Sequence, residues 1–133
     1  MELKRTKENY YCMQDVTVNI LGTEYQIKKK AYKDESAFER LKIDGYCDSY
    51  MHLIVYCDLD TDERWNNEPE ETKRACERAT IRHELIHAFL QESGLRESAH
   101  EIEHGWATDE EIVDWIAIQS PKIFDVFKEL DLM

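Results

Sequence analysis

The stretch Thr80-Ile81-Arg82-His83-Glu84-Leu85-Ile86-His87-Ala88-Phe89-Leu90-Gln91-Glu92-Ser93-Gly94 carries reactive side chains at a spacing that chemistry would dictate. His83 and His87 stand four positions apart, so a helix of about 3.6 residues per turn stacks both imidazoles on one face. Glu84, beside the first histidine, reaches into the same space. A His-Glu-x-x-His helix offers two neutral nitrogen donors to one zinc ion and a carboxylate placed to take a proton from a water held by the metal. Leu85, Ile86, Ala88, Phe89 and Leu90 predict a well-buried helix, where two imidazoles are costly unless paired or ligating a metal. A buried histidine pair without metal is the plainer alternative, and the flanking chain has to separate the two.

Upstream, Asn67-Glu68-Pro69-Glu70-Glu71 reads as a helix start: Asn67 as the capping residue, a proline tolerated in the first turn, and carboxylates near the positive end of the helix dipole. Gly94 is a C-terminal stop, which predicts one long helix with the histidine motif in its C-terminal half. Residues 51–56, M-H-L-I-V-Y, are apolar, β-branched and aromatic over strand length, and form the clearest strand in the chain. Asp44-Gly45-Tyr46-Cys47-Asp48 reads as the turn feeding it, and the acidic residues 58–63 close it. His52, alone at the start of that strand, reads better as structural than as a ligand. Residues 16–21 and 24–29 alternate apolar and polar positions around Gly22-Thr23, as two strands of a tight hairpin do. Residues 32–41 fit a short helix or a loop.

Downstream, Thr108-Asp109 caps a second helix, D-E-E-I-V-D-W-I-A-I-Q, with Ile112, Trp115, Ile116 and Gln119 along one side. Ser120-Pro121 is expected to break it, and a last helix follows with Ile123, Val126, Phe127 and Leu130 at helical spacing. Glu110 and Asp114, four apart and off the apolar side, are candidates for a third ligand and for the acceptor of a ligand imidazole's second N–H. A solvated carboxylate pair favoured by the helix dipole is an equal reading of the residue types. Residues 96–106 show no clear period and add His100 and His104.

With 133 residues the chain is expected to form one domain, 1–133. A formal net charge of −12 argues against nucleic acid or an anionic membrane as partner, because phosphates would repel most of the surface. Lys28, Lys29 and Lys30 read as a solvated edge. No apolar run follows the basic N-terminal residues and no stretch approaches a membrane span, so a cytoplasmic protein is expected. Cys12, Cys47, Cys57 and Cys76 lack any C-x-x-C spacing, which suits reduced, buried thiols. Cys76 lies two turns before His83, about 10 Å away along a helix, too far to share a metal, and reads as core.

The segments H-E-L-I-H-A-F-L-Q-E-S-G-L and E-E-I-V-D-W-I-A-I-Q-S-P-K-I together resemble small phage and prophage gluzincin-like zinc metallopeptidases related to the ImmA/IrrE type, over about residues 44–127. The resemblance implies an α+β, minimal zincin-like domain: a small twisted β-sheet packed beside the active-site helix, with two further C-terminal helices. It implies that residues 51–56 form the edge strand along the cleft, where an extended protein or peptide substrate adds by main-chain hydrogen bonds. It favours Glu110 as third ligand over Glu111, His100 and His104. The resulting expectation is one Zn²⁺ held by His83, His87 and Glu110, with Asp114 behind a ligand and Glu84 as general base in hydrolysis of an intracellular protein substrate. Larger gluzincins close the cleft with another domain that supplies a His or Tyr to the oxyanion. This chain has no room for one, and His100 or His104 are the substitutes on offer. The alternatives are a catalytically idle zinc-binding phage accessory or interaction protein, and a binding domain without metal.

Overall fold

The computed structural model describes residues 15–95, 108–131 and 133. In it the strand Leu53–Asp58 buries every side chain from Ile54 to Cys57. Continuous burial is what a strand covered on both faces requires, and it accounts for an apolar run in place of an alternating one. Around this strand the described residues form an α+β fold with a mixed four-stranded sheet and three helices. In chain order these are β1 (Val16–Ile20), β2 (Thr23–Ala31), α1 (Ser36–Arg40), β3 (Gly45–Asp48), β4 (Leu53–Asp58), α2 (Glu70–Glu92) and α3 (Glu110–Glu129). The sheet order is β1-β2-β4-β3; β2 and β4 run parallel, and the two outer pairings are antiparallel.

The expected hairpin is present, turning at Leu21-Gly22, one residue earlier than expected, with Ile20 opposite Thr23. Both turn residues take positive φ, 50° and 97°, as a two-residue turn that follows the strand twist demands. The Asn19 side chain steadies it by accepting the Gly22 N–H at 2.8 Å.

The β4 region departs from the expectation in two ways. Met51 and His52 belong to a turn, His52 at φ 52°, so the strand spans Leu53–Asp58 and not residues 51–56. The residues expected as a turn, 44–48, supply strand β3 instead. Turn-favouring Asp and Gly are overridden there by pairing with β4, with Tyr46 opposite Val55 and Cys47 opposite Ile54. β4 is therefore internal, and β3, not residues 51–56, is the sheet edge beside α2. Gly45 permits that approach: a Cβ on it would lie 2.6 Å from the Thr80 methyl of α2 and 2.9 Å from the Val55 carbonyl.

Ile54 and Tyr56 face α2 in a core with Ile20, Tyr25, Ile27, Ile81 and Ala88, while Val55 and Cys57 pack on the other face with Phe38 of α1 and Leu59. Residues 32–41 thus contain a short helix, held by Phe38. Among the described residues Cys47, Cys57 and Cys76 form no disulfide, and Cys76 packs beside the second cluster; Cys12 lies outside the described residues.

α2 begins at Glu70 after Pro69, with no side-chain capping bond, so Asn67 does not cap it. Gly94, at φ 83°, lies just past the end, as expected. Thr23 and Tyr25 both donate to the Glu92 carboxylate at 2.7 Å, fastening the end of α2 to β2.

α3 corrects the expectation of two C-terminal helices: it runs unbroken through Pro121. Proline removes the N–H that would bond the carbonyl four residues earlier, that of Ala117. Arg82 of α2 supplies the missing donor, Nε to Ala117 O at 3.2 Å. The buried side of α3 is shifted from the expected Ile112, Trp115, Ile116 and Gln119: Val113 and Ala117 are buried, Ile112, Ile116 and Gln119 are partly buried, and Trp115 is 59% exposed. Among the described residues no helix is long and apolar enough to cross a membrane.

Candidate metal centre

The buried residues of α2 include Arg74, Glu77, Ile81, Glu84 and Ala88, alternating steps of three and four along one face. Three of these five are charged, so the buried face is set by pairing as much as by apolar contact. Arg74 donates to both oxygens of Asp60 at 3.1 and 2.8 Å, and its Nε lies 3.0 Å from Glu77. Glu77 also accepts the Leu59 N–H at 3.2 Å and lies 3.6 Å from Lys29. Lys30 pairs with Glu35 at 3.2 Å, so two of the three lysines expected as a solvated edge are engaged in ion pairs.

Two turns beyond Glu77, Glu84 is buried facing the cleft, flanked by the partly exposed rings of His83 and His87. From α3, whose N-terminus is capped by Asp109 accepting the Glu111 and Ile112 N–H groups at 2.9 and 3.2 Å, Glu110 and Asp114 reach back to these rings. Asp114 Oδ1 lies 2.5 Å from His83 Nδ1. A carboxylate there keeps the proton on Nδ1 and leaves Nε2 as the free donor atom. The two Nε2 atoms are 3.1 Å apart, and Glu110 Oε2 is 3.0 Å from that of His83 and 3.3 Å from that of His87.

Three electron-pair donors thus converge on one point. In a tetrahedral zinc site with bonds of about 2.0–2.1 Å, ligand atoms stand about 3.3 Å apart, so the triangle His83, His87 and Glu110 fits such an ion in size and in donor type. A group of His83, Glu84 and His87 also falls within 4.8 Å, but Glu84 Oε1 is 3.9 Å from His83 Nε2, farther than Glu110. The closer carboxylate is the ligand candidate, and Glu84 stands behind it as the base candidate. Burial pushes the Glu84 carboxyl up to about 7; His83 opposes this shift, and Glu110 and Asp114 add to it.

The site opens into a cleft of about 400 Å³ floored by Gly45, Tyr46 and Cys47 of β3. A second recess of about 320 Å³ lies on the Asp114 side, bounded by Gly45, Thr80, Arg82 and Ile118. Glu111 is not part of the triangle. His52 lies away from it, its ring 5.1 Å from that of Tyr25. His100 and His104 lie outside the described residues. Two contributors escaped the sequence reading. Gly45 was hidden inside an apparent turn, and Arg82 was one charge among many, although an in-helix proline is a signal that some donor must serve the carbonyl four residues earlier. No family model matches the chain, and no curated protein or solved structure is significantly similar to it.

Proposed function

We propose that this protein is a zinc-dependent peptide hydrolase with a minimal zincin-like fold, as its resemblance to phage and prophage gluzincins implies. The observation that carries the proposal is the triangle of His83, His87 and Glu110 donor atoms, 3.0 to 3.3 Å on a side, with Asp114 on the far nitrogen of His83. Bound there, zinc would polarise the scissile carbonyl and bring the pKa of a coordinated water to about 7. Glu84 is the proton carrier: its buried carboxyl faces the cleft beside the ligand set, where it takes a proton and returns it to the leaving amine. Asp114 holds the His83 ring in one tautomer. The edge strand β3, flooring the cleft, is the place for an extended substrate to add as a further strand. The substrate is an unfolded or extended segment of an intracellular protein, not a nucleic acid.

The test is cleavage of an unstructured protein such as casein by zinc-loaded protein, abolished by chelation. Glu84→Gln is expected to retain stoichiometric zinc and lose cleavage by about 10²–10⁴-fold. Equal cleavage by this variant sinks the mechanism. One feature favours a second reading, a zinc-binding accessory protein without turnover: the histidines come from α2 and both carboxylates from α3, so the ion would also clamp two helices together. Stoichiometric zinc with no hydrolysis would select that reading.

A further inference from the structure

Glu110, Asp114, Ala117 and Pro121 lie at steps of four, three and four along one stripe of α3, and the first three of them contact α2. The first two meet His83 and His87; the third presents its carbonyl to Arg82, the residue next to His83. That carbonyl lacks its usual helical donor because Pro121 has no N–H. A proline in the interior of a helix is costly in itself, yet here it leaves an acceptor that a guanidinium from the neighbouring helix occupies.

We propose that Pro121 and Arg82 form a metal-independent tie which sets the register of α3 against α2, holding Glu110 and Asp114 opposite the two histidines before any ion arrives. Arg82 is a positioning residue, not a ligand. The inference rests on the zinc reading for its consequence, but the tie itself is a property of the metal-free protein. Electrostatics alone makes the opposite forecast: a cationic side chain beside a cation site repels the ion, so removing it should tighten binding. Preorganisation makes removal weaken binding, as loss of a group supporting the ligands does.

Three variants separate these effects: Arg82→Met, which keeps the apolar stem and loses the donors, Pro121→Ala, which restores an N–H to the Ala117 carbonyl, and the double variant. Zinc affinity is measured by competition with a chromogenic chelator, and metal-free stability by urea unfolding. Arg82→Met is expected to weaken zinc about tenfold. Pro121→Ala is expected to stabilise the metal-free protein while also weakening zinc, a split that a purely structural role would not produce. The double variant should bind no more weakly than the weaker single one, and the unfolding free energies should show coupling between the positions. Tighter zinc binding by Arg82→Met, or additive effects in the double variant, overturns the proposal. If wild-type protein binds no zinc, the proposed function fails, and coupling in metal-free unfolding still decides whether the tie exists.

Discussion

Asp114 shows what one side chain contributes to a site that it does not directly complete. With Oδ1 2.5 Å from His83 Nδ1, it selects which nitrogen of that ring faces His87 and Glu110. Asp114→Ala is expected to lower zinc affinity by about 10–100-fold with little change in metal-free stability, measured by chelator competition. Two other carboxylates make stability depend on pH in the acid range. Arg74 holds Asp60 below its ordinary 3.8, and Arg64 does the same to the buried Asp62, donating to it from Nη2 at 2.7 Å. A depressed carboxyl contributes stability that is complete above its unfolded value and is lost as pH falls through its folded one. The urea midpoint should therefore drop as pH falls below 3.8, and the deficit of Asp62→Asn relative to wild type should shrink over the same interval. A deficit that stays constant with pH would show that Asp62 acts through packing alone. Of these residues, the ligand candidates were legible because ligand chemistry limits the residue types and the helix fixes their spacing. Arg74, Glu77 and Arg82 were not, because a charge reads as solvated until its partner from a distant segment is known.

At the level of elements, the closest packing is that of α2 on β3 at Gly45. Gly45→Ala would place a methyl 2.6 Å from Thr80 Cγ2 and 2.9 Å from the Val55 carbonyl, an overpacking expected to cost about 1–3 kcal/mol in urea unfolding. Thr80→Ser removes the first clash and keeps the hydroxyl that donates to Cys76 O at 3.0 Å, so the double variant should recover part of the loss. No recovery would mean that the cost lies in the strand and not in the helix contact. The same contact explains why β3 was read as a turn: besides its pairing with the next strand, its order comes from α2, a segment distant in the chain. α3 was misread at Pro121 for a related reason. Local chemistry forbids the proline's hydrogen bond, and only a neighbouring helix supplies the substitute.

For the whole molecule, the candidate site joins α2 to α3, so a metal bound there would link its occupancy to stability. Zinc at about 100 times its dissociation constant should stabilise the fold by about 2.7 kcal/mol, raising the unfolding midpoint reversibly on chelation. Glu84→Gln should keep this gain, whereas His83→Ala should lose it. An unchanged midpoint with zinc bound would place the ion outside the α2 and α3 junction. The sequence by itself determined the hairpin, the existence of an apolar strand after Asp48, the two site helices and the His-Glu-x-x-His spacing, because each is written in periods of two or 3.6 residues and in local turn and capping chemistry. It also named Glu110 and Asp114, since the spacing of two carboxylates on a helix is local as well. Only the tertiary structure decided that β4 is central and β3 the edge, that α3 continues through Pro121, and which face of α3 meets α2. Those outcomes depend on pairing and on donors drawn from segments far apart in the chain, where the energy of a contact is not encoded by either partner alone.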